Sequence, residues 1–337
     1  MASEERIPVT VLTGYLGAGK TTLLNRILSE DHGRRYAVIV NEFGEAGIDG
    51  DLVLKTDEDL FEMNNGCVCC TVRGDLIRTL HGLLSRRGGF DAIVIETTGL
   101  ADPGPVAQTF FVDGTLQARV CLDSVTTLVD ARHIVARLAD SREAAEQIAF
   151  ADQIVLNKTD LVSGGELGAI EARLRVLNPL APIHRAERAN VELDAVLGRG
   201  GFDLDRIVDL EPDFLAPPHG EPGHAHDANC AHDHAHDASI ASVSLRSDRP
   251  MDAGRIGAWL EDLMAARGQD ILRAKGIIHV GGDERRLVFQ AVHMMLEGDF
   301  QRDWDAGEER CSRLVFIGRN LDAAGLRAGF ESCAVAA

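Results

Sequence analysis

Short runs of β-branched and other apolar residues recur through the first 200 positions, at Pro8–Leu12, Tyr36–Val40, Ala92–Ile95, Val125–Val129 and Ile154–Leu156. They lack the alternation of a strand with one wet face, so each predicts a strand buried on both sides. Between them lie stretches with apolar residues at helical spacing, such as Thr22–Leu28 and Ala144–Phe150. Strands alternating with helices predict an α/β fold, a parallel sheet covered by helices on both faces, with ligands at the carboxyl ends of its strands.

The pattern stops at Asp203. From there to Asp237 the chain holds nine acidic residues against one basic one, four prolines, six histidines and no periodic apolar face. Such a segment cannot bury enough surface to order itself and reads as a flexible linker. Periodicity then resumes with strand-like Ile240–Leu245, helix-like Ala253–Met264, strand-like Gly276–Val280, Leu287–Val292 and Leu314–Ile317, and helix-like Asp322–Phe330. This is the pattern of a small α+β domain. The expected division is a nucleotide-type domain at 1–202, a His-rich acidic linker at 203–238 and the small domain at 239–337. The one internal repeat is short, His-Ala-His-Asp at 224–227 and 234–237.

Composition narrows the classes. A chain of 337 residues is long enough for about two domains. No apolar run approaches the ~20 residues that cross a bilayer, and Met1–Arg6 lacks the pattern of a secretory signal, so a cytoplasmic protein is expected. A net charge of −19 disfavours nucleic acid and anionic membranes as partners. Residues 240–337 carry 13 basic and 15 acidic side chains, so most of the excess lies before them. Seven cysteines, three of them within 67–70, suggest metal or redox chemistry rather than a disulfide framework.

Three motifs point to a nucleotide. Gly14-Tyr15-Leu16-Gly17-Ala18-Gly19-Lys20-Thr21, followed by Thr22, fits a phosphate loop placed directly between a strand and a helix. Its glycines allow backbone N–H groups to converge on phosphate, Lys20 should reach the β- and γ-phosphates, and Thr21 should ligate Mg²⁺. A second strand ends in Glu96-Thr97-Thr98-Gly99. Glu96 can hold Mg²⁺ or its water shell and orient the hydrolytic water, and the Gly99 N–H can meet the γ-phosphate. Asn157-Lys158-Thr159-Asp160 closes a third strand. Asp160 can accept from both the ring N–H and the exocyclic amine of guanine, which adenine cannot match. Asn157 can bond the purine and the Lys158 stem can cover it. GTP is therefore the expected nucleotide.

Cys67, Cys69 and Cys70 place three thiols within four residues, a set that suits Zn²⁺ or another soft or borderline cation. Buried structural cysteines or a redox pair at Cys69 and Cys70 are the competing readings. The loop Asn41–Asp49 follows the second strand, and its Glu42 and Asp49 could bridge Mg²⁺ and the thiols. In the linker, His224, His226, His232, His234 and His236, with His219 and Cys230, can capture Zn²⁺, Ni²⁺ or Co²⁺ weakly, because a flexible segment loses entropy on binding.

Together these residues resemble the CobW-type family of P-loop GTPases, whose members act as metallochaperones. The resemblance spans Gly14–Thr22, Asn41–Gly50, Gly66–Cys70, Glu96–Pro103 and Asn157–Asp160. It continues into a CobW C-terminal-like domain with Arg273–Gly276 and Leu314–Arg319. It implies GTP hydrolysis coupled to handing a divalent metal, usually Zn²⁺ and in some members Co²⁺, to a client metalloprotein, and leaves a nucleotide-dependent homodimer open. Three alternatives stay open on the residues: a cobalt chaperone for cobalamin synthesis or a hydratase activator, a metal buffer with a structural nucleotide, and an ATP-dependent kinase. The last conflicts with Asn157–Asp160.

Overall fold

The computed structural model describes residues 6–30, 33–41, 60–63, 69–85, 89–201 and 240–335, with backbone alone at 41, 60–63 and 69–73. Strands β1 (Ile7–Gly14), β2 (Tyr36–Asn41), β3 (Leu60–Met63), β4 (Ala92–Glu96), β5 (Val120–Asp130), β6 (Gln153–Asn157) and β7 (Ile183–Arg185) form a wholly parallel sheet. Their order is β3-β2-β4-β1-β5-β6-β7. Five of the seven are the apolar runs of the sequence. The other two are edge strands of four and three residues, too short to leave a periodic signal.

Helices α1 (Lys20–Ser29), α2 (Cys69–Leu84), α3 (Gly104–Val112), α4 (Gly114–Gln117), α5 (Ile134–Asp140), α6 (Arg142–Phe150) and α7 (Gly164–Leu177) accompany the sheet. Leu23, Leu24, Ile27 and Leu28 of α1 line one stripe and pack on Leu12, Val38 and Val94. The alternate strand residues Val9, Val11, Ile39 and Ile95 meet Leu76 and Leu80 of α2 and Phe110 of α3 on the opposite face. Burial on both faces explains the continuous apolar runs, and the α/β expectation holds.

The C-terminal part contains β8 (Ile240–Ser247), α8 (Ala253–Arg267), β9 (Ile271–His279), β10 (Arg285–Val292), β11 (Met295–Asp303), β12 (Ser312–Arg319) and α9 (Ala323–Ser332). Its sheet, β11-β10-β9-β12-β8, is antiparallel at every pair. One face holds Leu260, Met264, Leu326 and Phe330 of the two helices against Ile271, Ala274, Ile278 and Phe316. The other face presents Leu272, Ile277, Val288, Val315 and Ile317 to the core that contains Phe110 and Phe150. The two parts therefore share one apolar cluster. Among the described residues no helix is long and apolar enough to cross a membrane.

Strand β9 begins five residues before the Gly276 suggested by hydrophobicity. Arg273 and Lys275 mask its first half, because both charges are buried where the two parts meet. Arg273 Nη2 lies 2.5 Å and Lys275 Nζ 3.4 Å from Oδ1 of Asp152. The other oxygen of Asp152 accepts from Val125 N at 2.9 Å. Arg273 and Asp152 are each 1% exposed at their side chains. Removing one partner of such a pair leaves a buried charge poorly compensated, so Arg273→Ala should cost about 3 kcal/mol in urea unfolding, near the low end of the range because Lys275 remains. A loss below about 1 kcal/mol would contradict a buried pair.

Strand β11 was also hidden. Its centre, Glu297-Gly298-Asp299, is exposed at the sheet edge, where charge and glycine discourage pairing with another chain.

Candidate nucleotide and metal site

All the candidate motifs within the described residues gather at the carboxyl ends of the parallel strands. Gly14 closes β1, and the loop turns through Gly17, Ala18 and Gly19 into α1. Gly19 has φ +109°, and a Cβ there would stand 2.5 Å from Asn157 Nδ2, so both backbone and space require glycine. That approach joins two motifs: Asn157 Nδ2 donates to Ala18 O at 2.9 Å. The N-cap of α1 has no side-chain cap and the first turn holds no acidic residue, which leaves its N–H groups and dipole for an anion. Lys20 is 8% exposed, and its Nζ donates to Gly14 O at 2.7 Å and Tyr15 O at 3.4 Å, across the mouth of the loop. Thr21 and Thr22 follow on the first turn, Thr22 exposed.

Glu96 reaches this turn because β1 and β4 run in register, Leu12 beside Glu96. Thr97 N donates to Leu12 O at 2.9 Å, and the Thr97 hydroxyl donates to that of Thr13 at 2.9 Å, locking the two strand ends together. Glu96 is thereby buried with Oε1 3.5 Å from the Thr21 hydroxyl. A hydroxyl beside a carboxylate is a hard-oxygen pair of the kind Mg²⁺ prefers. Gly99 is buried under the phosphate loop, close to Leu16.

At the third motif, Asn157 is held from both sides: its Oδ1 accepts from Ala189 N at 2.8 Å. Lys158 takes φ +62°, and Nζ pairs with Asp130 at 2.7 Å. Asp160 is exposed on a short 3-10 turn, Thr159–Leu161. Asp130 escaped the sequence reading, although it repeats the signal given by Glu96, an acid at the end of an apolar strand. Burial alone would raise its pKa, but hydrogen bonds and charge from Lys158 and His133 outweigh burial and hold the carboxyl below the usual range. The loop 186–189 escaped too. It flanks Asn157–Asp160 with Arg188 and Ala189 both at positive φ, strain of the kind that clusters at binding sites. No residue type in that loop announces it.

Cys69 and Cys70 open α2, the next element after β3 in the chain. Cys67, Glu42, Asp49 and the linker histidines His224, His226, His232, His234 and His236 lie outside the described residues.

Comparison with known proteins agrees with this layout. Residues 8–185 match the CobW/HypB/UreG nucleotide-binding domain, and residues 240–334 match the cobalamin synthesis protein CobW C-terminal domain. The zinc chaperone YjiA of Escherichia coli is 37% identical over 331 residues, covering 96% of this chain and 98% of that protein. The zinc chaperone CobW of a Sinorhizobium species is 34% identical, with 98% of each covered. The crystal structure of Zn(II)-bound YjiA GTPase from E. coli superposes with a TM-score of 0.76 at 32% identity, over 98% of this chain and all of that one. The motif order, the two sheets and these matches lead to one assignment: this chain belongs to the CobW-type family, with a CobW/HypB/UreG nucleotide-binding domain joined to a CobW C-terminal domain.

Proposed function

We propose that this protein is a GTPase that carries Zn²⁺ and releases it to a client metalloprotein when GTP is hydrolysed. One observation carries the reading: the order in which strand ends present their chemistry. Across β3-β2-β4-β1-β5-β6 the carboxyl ends lead to the cysteine segment, the Glu42 loop, Glu96, the phosphate loop, Asp130 and the guanine motif. Neighbouring strands lie about 4.8 Å apart, so β3 and β1 are separated by about 14 Å. In this reading the segments that follow β3 and β1 act together through the segment that follows β2, the strand next to β3.

In this reading the N–H groups of Gly17, Ala18 and Gly19 cradle phosphate, Lys20 neutralises the β- and γ-oxygens, and Gly14 provides the turn. Thr22 faces the nucleotide from the first turn, while Asn157, Lys158 and Asp160 select guanine. Thr21 and Glu96 would hold Mg²⁺, which supplies charge neutralisation at the phosphates. Glu96 orients the attacking water, and the Gly99 N–H receives the γ-phosphate. Cys67, Cys69 and Cys70 hold the cargo Zn²⁺, with Glu42 and Asp49 on the loop that both sites share. The linker histidines act as a weak collecting arm, and residues 239–337 dock the client. The cytosol suits reduced thiols. Exposed Leu16 and Leu100 beside the phosphate loop suit pairing of two copies across this face.

Coupling requires the two nucleotide states to differ in metal affinity. Titration against a chelating indicator should show Zn²⁺ bound about tenfold more tightly with a non-hydrolysable GTP analogue than with GDP, a difference of about 1.4 kcal/mol. Equal affinities would remove the coupling and leave a GTPase that merely also binds metal.

A further inference from the structure

Helix α6 touches the segment after Glu96 and the C-terminal sheet through two adjacent residues. Gln147 is 1% exposed, and its Nε2 donates to Gly99 O at 3.2 Å and to Ala101 O at 3.1 Å. Two carbonyl acceptors fix which end of the amide faces them, because only the NH₂ can donate. The backbone of Gln147 is anchored as well, its carbonyl accepting from the Thr127 hydroxyl at 2.8 Å. On the far side of Gly99 lies the phosphate loop: a Cβ on Gly99 would stand 2.7 Å from Leu16 N and 2.6 Å from Leu16 Cδ2. Gly99 is therefore pressed between Gln147 and the loop, with no slack for a side chain.

The neighbouring Glu146 reaches the C-terminal sheet. It is 5% exposed and pairs with Arg319 of β12, and with Arg142 at 2.5 Å. The C-terminal part makes a second contact with the same region. His293, in the β10–β11 turn, lies against Gly104, where a Cβ would be 2.4 Å from Nε2, and its ring sits 5.0 Å from that of Phe150 in α6.

We propose that Gln147 is a positioning residue for hydrolysis, holding Gly99 at the phosphate loop, and that the Glu146–Arg319 pair ties this clamp to the C-terminal sheet. A partner that shifts the C-terminal sheet thereby changes the hydrolysis rate. The inference rests on the reading of Glu96–Gly99 as the γ-phosphate segment. It differs from an ordinary packing role in one respect. A residue acting through the γ-phosphate contact changes turnover and leaves GDP, which lacks that phosphate, bound as before.

The test is steady-state and single-turnover GTP hydrolysis by the full chain, with Lys20→Ala as the blank and GDP affinity measured alongside. Gln147→Met keeps length and packing and loses the donor. It should lower kcat about tenfold, with KM for GTP and the GDP Kd within about twofold of wild type. Arg319→Met, which leaves Glu146 its Arg142 partner, should lower kcat about threefold. The double variant should be no slower than Gln147→Met alone, because both act through one clamp. Turnover of Gln147→Met within twofold of wild type would overturn the inference. So would a GDP affinity that falls in step with kcat. Should Gln147→Met fail to fold, unchanged turnover in Arg319→Met would overturn it alone. Wild-type turnover no faster than the blank would overturn the proposed function and this inference with it.

Discussion

Replacing Lys20 with alanine should lower GTP turnover by about 10²–10³-fold, the cost of removing one preorganised charged donor from a site of developing negative charge. The magnitude follows from where the ammonium sits. It is 8% exposed and held by Gly14 O and Tyr15 O across the mouth of the loop, so little reorientation is needed as phosphate charge develops. Removing it should spare the fold. Helix α1 is anchored by Leu23, Leu24, Ile27 and Leu28, none of which depends on Lys20, and the loop keeps its Asn157–Ala18 bond. The variant should therefore unfold in urea with the wild-type midpoint. Single-turnover phosphate release and the urea curve measured on one preparation separate the two effects. Turnover within tenfold of wild type would mean that another cation neutralises the γ-phosphate, and the assigned role of Lys20 would be wrong.

What the sequence made legible is what local chemistry determines. A strand buried on both faces must be apolar throughout, and a backbone that surrounds phosphate must have glycine. Five strands of the parallel sheet and the phosphate loop could be read on those grounds. Hidden features owe their form to partners far along the chain. Arg273 and Lys275 look like a strand boundary until Asp152, more than 120 residues earlier, is seen to bury them. Gln147 looks like an ordinary polar residue on an amphipathic helix, and its carbonyl partners at Gly99 and Ala101 are backbone atoms that every residue has. Asp130 differs, because the rule that exposed Glu96 applied to it equally. Like Glu96 it closes an apolar strand, and its partner Lys158 stands at the end of the neighbouring strand.

The buried charges where the two sheets meet bear on how such a protein can switch. Asp152 directly precedes β6, the strand that ends in Asn157, and is bound to β9 through Arg273. Helix α6, just before it, is bound to β12 through Glu146. The strand that leads to Asn157–Asp160 and the helix that holds the segment after Glu96 are thus both tied to the C-terminal sheet by paired charges, which move only if their partners move, since separating them is costly. A nucleotide-driven displacement at the strand ends would then travel through a chain of contacts rather than through a hinge.

Changing Cys67, Cys69 and Cys70 together to serine should weaken Zn²⁺ binding by at least about 10³-fold and abolish the difference between the GTP-analogue and GDP states. Thiolates provide most of the affinity of a cysteine zinc site, whose binding free energies run to about 10 kcal/mol and above at neutral pH. Serine hydroxyls are hard, neutral donors that Zn²⁺ does not favour. The triple variant should still hydrolyse GTP, because the groups proposed to bind nucleotide follow β1, β4 and β6 and the cysteine segment follows β3 at the sheet edge. A residual weak phase, indifferent to nucleotide, is expected from the linker histidines, and replacing His224, His226, His232, His234 and His236 with alanine in the same background should remove it. Titration of both variants in the two nucleotide states apportions the metal between the sites. Tight, nucleotide-sensitive binding that survives the cysteine changes would transfer the cargo site elsewhere, and the order of strand ends would no longer explain how hydrolysis releases the metal.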